Sequence, residues 1–300
     1  MRYAEHAVPV GRRLELFVRT YEPIDATDRT VVLVHGASEH SGRHRHVAEQ
    51  LCGNGWRVVA PDLRGHGRSG GRPMHIARFI DYVDDIARVY DRFALDWQAT
   101  SQWGSSMGGL VTVRMAQRHP GRFAAFALAS PLLGLAVRIP PLLRASGRVL
   151  SVTYPWKRFR TVVDPRDVTR NAESLARRKT DALHHKSVTA GWFFAVQAAI
   201  EDAWRLAATI ETPVLVVQAG DDRVVDSAAS RAWIDEVRST TARYCELPGQ
   251  FHELHFEDDW PRTVEFVNTW LAAQLNNVEH EVEPTDDLRS ADVRPLVRAA

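Results

Sequence analysis

Gly104-Ser105-Ser106-Met107-Gly108 is the stretch that decides the fold of this 300-residue chain. It follows an apolar run, Ala99 to Trp103, and it precedes a helical pattern, Met107 to His119. A Gly-x-Ser-x-Gly pentapeptide between a strand and a helix is typical of the sharp turn that presents a reactive serine, and the flanking glycines leave room for that turn. The pattern therefore predicts that Ser106 is a nucleophile at the end of a buried strand.

Short β-branched runs alternate with helical patterns on both sides of this turn. Such alternation is typical of an α/β fold, with a mostly parallel central sheet flanked by helices. The pattern predicts strands at 31–34, 57–60, 99–103, 123–129, 213–218 and 242–247. It predicts helices at 79–93, 107–119, 227–238 and 261–275, and a β-hairpin before residue 30.

Composition excludes several classes of protein. The chain is 45% hydrophobic and 25% charged, and its net charge of +1 gives no overall field that would favour nucleic acid as a partner. Its two cysteines, Cys52 and Cys245, are far apart, which favours a reducing, cytoplasmic setting. Residues 1–10 lack the apolar centre of a signal peptide, and no apolar run approaches the ~20 residues that span a bilayer.

The alternation of strands and helices stops between residues 131 and 205. This stretch carries 13 Lys plus Arg against 6 Asp plus Glu, although the whole chain is nearly neutral. We predict an α/β core at 1–130 and 206–276 and an inserted cap or lid at 131–205. The polar, acidic stretch 277–300 predicts a disordered tail.

A serine hydroxyl becomes nucleophilic when a base removes its proton and a carboxylate orients that base. In this fold class the acid and then the histidine follow the serine, on loops after late strands. Asp222 follows the predicted strand 213–218, and His252 follows the predicted strand 242–247. We therefore predict Asp222 and His252 as the partners of Ser106, with His255 as the alternative histidine.

The choice of acid leaves alternatives open, because Asp221, Asp222 and Asp226 all lie near the same strand end. Asp222 is favoured. Asp226 fits the N-cap of the helix that begins at residue 227, and Asp221 fits a position that braces the turn.

The developing oxyanion needs donors that are already oriented, and backbone amides meet that need. One predicted donor is the amide of Met107, directly after the nucleophile. The second is the amide of Ala37, in the His35-Gly36-Ala37 loop that follows the predicted strand 31–34. His35 is interpreted as a structural brace of that loop.

Together these motifs resemble those of α/β-hydrolases of the monoacylglycerol lipase and lysophospholipase family. The motifs that carry the resemblance are residues 35–43 (HGASEHSGR), 62–69 (DLRGHGRS), 104–108, 222–226 (DRVVD) and 252–255 (HELH). The resemblance implies an α/β-hydrolase fold with an inserted helical cap, the triad Ser106, Asp222 and His252, and no cofactor.

The resemblance also implies a substrate. Monoacylglycerol lipases of the family hold the glycerol head with a glutamate, an arginine and a second histidine, which Glu39, Arg43 and His255 match. The alternative is that Glu39 and Arg43, four residues apart, form only an ion pair at a helix start. His44 stands where the family commonly has an aromatic residue, and Phe251 before His252 is a further departure.

Histidines outside the predicted triad have simpler interpretations. His40, His44 and His46 lie close in sequence, but no carboxylate or cysteine set completes a metal site, so none is predicted. His184 and His185 are interpreted as cap surface.

Two features of the predicted cap leave open how it meets lipid. Residues 135–150 combine apolar and basic side chains, which suits either peripheral contact with a membrane or packing on the protein itself. Trp192, Phe193 and Phe194 either line an acyl tunnel or pack the cap against the core.

The expected activity is that of a serine ester hydrolase that cleaves one acyl chain from a monoacylglycerol-type lipid through an acyl-enzyme. A lysophospholipase and a general carboxylesterase are the alternatives within hydrolases, and the basic cap favours the first of these. A catalytically silent, ligand-binding member of the fold is the alternative from a different class.

Overall fold

In the computed structural model, residues 1–25, 27–136, 140–161, 163–275 and 294–295 are described. Within these ranges, nine strands form one sheet: β1 (Arg2–Gly11), β2 (Leu14–Glu22), β3 (Thr30–Val34), β4 (Arg57–Pro61), β5 (Thr100–Ser105), β6 (Phe126–Ala129), β9 (Val214–Ala219), β10 (Arg243–Leu247) and β11 (Arg294–Pro295). A separate antiparallel pair consists of β7 (Arg158–Arg160) and β8 (Ser187–Thr189).

The large sheet has the order β1-β2-β4-β3-β5-β6-β9-β10-β11. From β4 to β10 neighbouring strands are parallel, whereas β1 and β2 form an antiparallel hairpin at one edge. The nucleophile strand β5 lies between β3 and β6. The mostly parallel sheet and the leading hairpin are those predicted.

Eight helices accompany the sheet in the described ranges: α1 (Arg45–Gly53), α2 (Ile80–Arg92), α3 (Met107–Arg118), α4 (Pro141–Thr153), α5 (Ala172–Thr180), α6 (Ala190–Arg205), α7 (Ser227–Asp235) and α8 (Trp260–Leu275). Alternate residues of β3 pack on opposite faces, Val31 and Leu33 with α1 and α8, and Val32 and Val34 with α2 and α3. Burial on both faces explains why the strand reads as a continuous apolar run.

Two predicted element bounds differ from the structure by three residues. The strand predicted from residue 123 begins at Phe126, because Phe123 instead packs its ring 5.0 Å from that of Trp97. The helix predicted to reach residue 238 ends at Asp235, since the amide of Arg238 instead donates to the carbonyl of Ile210.

The residues between β6 and β9 include β7, β8 and α4 to α6, and we keep the name cap for residues 131–205. Helix α6 is joined to the core helix α3 by Arg114 and Asp202, 3.0 Å apart, and by a hydrogen bond from Gln117 to the carbonyl of Ala203. Residues 276–293 and 296–300, which make up most of the predicted tail, lie outside the described part. No helix in the described ranges has the length and apolar character needed to cross a membrane.

Candidate active site

Ser106 occupies the turn between β5 and α3 by itself, since β5 ends at Ser105 and α3 begins at Met107. Its backbone angles, φ 51° and ψ −116°, lie in a region that residues with a side chain rarely adopt, at a cost of about 1–3 kcal/mol. Its amide donates to the carbonyl of Ala129 at 2.9 Å, and its carbonyl accepts from the amide of Leu110 at 3.2 Å. These bonds hold the serine in its strained conformation at the end of the strand.

Both glycines of the pentapeptide allow close approach of backbone. A Cβ on Gly104 would overlap the carbonyl oxygen of Gly108, and a Cβ on Gly108 would overlap the carbonyl oxygen of Val34. Helix α3 therefore begins in contact with the end of β3. This contact brings the loop after β3 beside Ser106, and a Cβ on Gly36 would lie 3.3 Å from that of Ser106.

A chain of two hydrogen bonds connects Ser106 to Asp222 through His252. The Nε2 atom of His252 lies 2.9 Å from Ser106 Oγ, and its Nδ1 atom lies 2.8 Å from Asp222 Oδ2. The side chain of Asp222 is fully buried and that of His252 is 6% exposed. With Nδ1–H donating to the carboxylate, Nε2 is free to accept the serine proton.

The Asp222 carboxylate is held by donors on both oxygens. Oδ1 accepts from the amides of Val224 and Val225, both at 2.9 Å, and Oδ2 accepts from Gln218 Nε2 at 3.2 Å as well as from His252. Sequence reasoning missed Gln218. The signal was a polar residue inside the otherwise apolar strand β9, where it is fully buried.

The two other candidate acids, Asp221 and Asp226, have other hydrogen-bond partners. Asp221 is exposed, and its amide donates to the carbonyl of Gln250. Asp226 caps α7, its Oδ1 accepting from the amide of Ala228 at 3.0 Å, as predicted. Of the three aspartates, the structure brings Asp222 to His252.

Burial and the neighbouring Asp222 carboxylate act in opposite directions on the pKa of His252. Burial by itself disfavours the imidazolium, but the adjacent Asp222 carboxylate outweighs burial and raises the pKa of His252 above 6.5. A proton taken from Ser106 would therefore be stabilised on the imidazole.

The two amides predicted to bind the oxyanion belong to residues near Ser106, and their role stays a prediction. Met107 is the first residue of α3, where helical amides lack intrahelical acceptors. Ala37 follows Gly36 and lines the same cavity as Ser106. His35 braces this loop, because its Nε2 accepts from the amide of Leu63 at 2.9 Å and its Nδ1 lies 2.7 Å from the carbonyl of Gly36.

A cavity of about 220 Å³ opens at Ser106, between the core and the cap. Most of its wall is apolar and comes from the cap and the loops beside it: Leu132, Leu135, Phe159, Val163, Val168, Val188, Trp192, Phe193, Phe194 and Val224. Trp192, Phe193 and Phe194 of α6 thus line the cavity, as one of the two sequence interpretations expected, and Trp192 also packs in the core, as the other expected. Such a wall suits an apolar chain.

A second part of the cavity wall is charged and polar, with Glu39, Arg178, His185 and Glu253 among its residues. His185 is half-buried, and its amide donates to the carbonyl of Ser38. This corrects the interpretation of His184 and His185 as cap surface, because the chain before β8 folds back onto the loop that carries Ser38.

The three residues predicted to hold a head group are placed differently. Glu39 lines the cavity, but Arg43 and His255 do not. The Arg43 guanidinium is 3.0 Å from Glu39 and 3.1 Å from Glu253, so the ion pair of the alternative interpretation is present. His255 is buried, its ring 4.9 Å from that of Trp103. Both residues pack behind the cavity wall, and their contact with a head group stays a prediction.

Sequence reasoning also missed Arg178 and Glu253. Glu253 directly follows His252, and this adjacency could have indicated it. Arg178 is one of many cap arginines, and no sequence signal distinguished it.

Two histidines of the cluster at residues 40–46 have protein partners. His40 binds Asp181 at 3.0 Å, and His46 binds the carbonyl of His255 at 2.6 Å.

Comparison with known proteins places this geometry in context. The family model described as serine aminopeptidase, S33 matches residues 25–259. A monoacylglycerol lipase of Mycolicibacterium smegmatis is 32% identical over 248 residues, which cover 82% of this chain and 88% of that protein. Phospholipase YtpA of Bacillus subtilis is 32% identical over 232 residues, covering 76% of this chain and 89% of the relative.

A solved structure is also similar. The monoacylglycerol lipase of Paleococcus ferrophilus superposes with a TM-score of 0.80 at 27% identity, covering 87% of this chain and 99% of that one. The predicted α/β-hydrolase fold is thereby confirmed.

Proposed function

The chain belongs to the serine aminopeptidase S33 family of α/β-hydrolases, and we propose that it cleaves the ester of a monoacylglycerol through an acyl-enzyme intermediate. It is an ester hydrolase of the monoacylglycerol lipase and lysophospholipase group. The proposal concerns its substrate and the residues that act. One observation carries it: the hydrogen-bonded chain from Ser106 through His252 to Asp222 opens onto an apolar-walled cavity.

In the proposed first step, His252 Nε2 takes the Ser106 proton as Oγ attacks the acyl carbonyl carbon. The carbonyl π electrons move to oxygen, and the amides of Ala37 and Met107 stabilise that oxyanion. Asp222 keeps the imidazole in the tautomer that can accept this proton and stabilises the imidazolium.

The intermediate then collapses. The ester C–O bond breaks as His252 gives its proton to the departing alcohol oxygen, and Ser106 remains acylated. Water next attacks the acyl carbon, with His252 again as the base. The bond from that carbon to Ser106 Oγ then breaks as His252 returns the proton to Oγ, and the fatty acid leaves.

A single acyl chain is the proposed occupant of the apolar part of the cavity. Phe193 and Phe194 of α6 provide one wall, and their rings are in edge-to-face contact with centroids 5.1 Å apart. Val168 and Val224 lie on other parts of the wall. The alternation of bulky apolar groups suits a flexible methylene chain without requiring any polar partner.

A lysophospholipase is the second candidate. The observation that favours it is that Arg144 and Arg160, both exposed cap residues, line the cavity with the apolar groups. A phosphate at the cavity mouth would meet their charge. The hydrolysis assays below distinguish the two candidates by head group.

A lipid surface is the proposed docking partner of α4. Leu142, Val149 and Val152 of this helix are 83%, 63% and 79% exposed, and their spacing places them on one helix face. Arg148 and Lys157 nearby are also exposed, which suits an anionic lipid surface.

Vesicle sedimentation tests this docking surface. We expect the double variant Leu142→Ser, Val152→Ser to lose binding to phosphatidylglycerol vesicles while retaining hydrolysis of a short, water-soluble p-nitrophenyl ester. Ile24→Ser is the matched control, because Ile24 is 80% exposed but lies outside the cap. Unchanged sedimentation of the double variant would remove α4 from the proposal.

The function itself is tested by incubating the purified protein with lauroylglycerol and following release of lauric acid. Hydrolysis by the wild type and its loss in Ser106→Ala are the expected results. Undiminished hydrolysis by Ser106→Ala would refute the mechanism, and no hydrolysis of any lauroyl ester by the wild type would refute the function.

A further inference from the structure

Four charged side chains converge beside the candidate nucleophile. Glu253 Oε1 lies 2.5 Å from Arg178 Nη1 and 3.2 Å from Arg43 Nη1, and Glu253 Oε2 lies 3.1 Å from Arg43 Nη2. Arg43 Nη1 is also 3.0 Å from Glu39 Oε2. Two arginines and two glutamates therefore cancel each other's formal charge in one network.

This network borders the reacting groups directly. Glu253 follows His252 in the chain, and Glu39 Oε1 accepts from the amide of Gly36 at 2.6 Å, where Gly36 packs on Ser106. Glu39, Arg178 and Glu253 all line the cavity. They therefore share this cavity with Ser106 and His252.

Arg178 has hydrogen-bonding capacity that the protein does not use. Its side chain is 12% exposed, and its Nε–H is buried without an acceptor among the described residues. A guanidinium carries five N–H donors, and a buried donor without an acceptor is unfavourable.

His184 adds a second unused polar atom. Its Nδ1 is buried and has no hydrogen-bond partner within the described part of the chain. Burial and then the charges of Arg178 and Arg43 lower the pKa of His184 to about 4, so that its ring is neutral at pH 7. A neutral imidazole adds no charge to the network of two arginines and two glutamates.

We propose that Arg178 and Glu253 form a head-group subsite that selects a neutral head group bearing hydroxyls. This inference rests on the function proposed above. A hydroxyl can accept from the Arg178 guanidinium, which lines the cavity, and donate to a carboxylate of the network, and so uses both kinds of group.

Charged head groups fit this subsite less well. A phosphate would face the carboxylates of Glu39 and Glu253, whose side chains are 6% and 12% exposed and so poorly screened by water. A quaternary ammonium would find both carboxylates already paired with arginine. The balance of charge therefore favours a glycerol head over a phosphocholine head.

The test compares three esters of one acid: lauroylglycerol, methyl laurate and lauroyl lysophosphatidylcholine. We expect Arg178→Met to lower kcat/KM for lauroylglycerol by about 10- to 100-fold, since hydrogen bonds to a charged donor are lost. Methyl laurate carries no hydroxyl, and its kcat/KM should stay within about twofold of the wild type.

Arg178→Lys keeps the charge beside Glu253 but replaces the planar guanidinium by a single ammonium, and it should lose about 10-fold on lauroylglycerol alone. It also carries the test if Arg178→Met does not fold. Arg177→Met is the matched control, because the neighbouring Arg177 side chain is 76% exposed and pairs with Glu173. The control should leave all three substrates unaffected.

Several outcomes would overturn the subsite. These are an equal loss on lauroylglycerol and methyl laurate in the Arg178 variants, no loss on either, or a wild-type preference for lysophosphatidylcholine or for methyl laurate. Each leaves the serine hydrolase mechanism intact. Failure of the wild type on all three esters would instead refute the proposed function.

Discussion

Replacement of Asp222 by asparagine should abolish most turnover without unfolding the protein, for a reason visible in its hydrogen bonds. Oδ1 accepts from the amides of Val224 and Val225, so an introduced amide must turn its oxygen toward them. Its NH2 group then faces His252 Nδ1. Because an NH2 group cannot accept, the imidazole must carry its proton on Nε2, where it cannot act as a base toward Ser106.

The expected loss follows from that tautomer. Removing the acid's role in a serine triad in this way costs about 10³- to 10⁴-fold in kcat, or about 4–5.5 kcal/mol of activation free energy. Stability should fall by about 1–2 kcal/mol, because Gln218 can turn its own amide only by giving up its 3.3 Å hydrogen bond to the carbonyl of Ala219. Its Oε1 is buried without a partner in the described structure, and would then accept from the new NH2 group.

The assay is steady-state hydrolysis of p-nitrophenyl laurate by Asp222→Asn, with urea unfolding of the same preparation. Asp221→Asn and Asp226→Asn are the controls and should stay within about twofold of the wild type, because Asp221 is exposed and asparagine is itself a good N-cap. A larger loss in Asp221→Asn, or more than about a tenth of wild-type kcat in Asp222→Asn, would refute the reasoning.

Three further predictions concern pH and backbone strain. The acid limb of kcat/KM should have an apparent pKa above 6.5, because Asp222 outweighs burial in raising the pKa of His252 and the base must be neutral; a limb below 6 would contradict this. Ser106→Gly should be about 1 kcal/mol more stable in urea than Ser106→Ala, with both inactive, because φ is 51° at this position; the opposite order would show that the turn is unstrained. Burial lowers the pKa of His35 to about 4 and that of His66 to about 3, so below pH 6.5 the unfolded chain binds protons that the native one does not. Stability is then full above that pH and falls by about 1.4 kcal/mol per unit for each histidine; a urea midpoint independent of pH between 7.5 and 5 would contradict it.

Local patterns were sufficient for the central sheet and four of its helices. The apolar runs and helical periodicities predicted strands β3 to β6, β9 and β10 and helices α2, α3, α7 and α8 with bounds within three residues, but they predicted neither α1 nor the bounds of any element in the cap. These features depend on side-chain alternation and on glycine near a turn, which act over a few neighbouring residues. The turn at Ser106 was predicted for the same reason, and the structure has it between β5 and α3.

Chain order predicted which serine, acid and histidine form the candidate site. The order of serine, acid and histidine after successive strands selected Ser106, Asp222 and His252, and their roles remain predictions. Chain order could not decide among Asp221, Asp222 and Asp226, which differ only in the direction of their side chains. The fold resolves that geometry, since the amides of Val224 and Val225 hold the Asp222 carboxylate toward His252.

The class of fold, the strained serine turn and the kind of chemistry were predictable from the chain, because each follows from short-range pattern and residue type. The surroundings of the ester depend on how the chain folds. The fold placed Arg178 of the cap against Glu253 and put His255 behind the wall. Those contacts join residues dozens of positions apart, and their energy depends on burial and on charge pairing that arise only when the chain is folded.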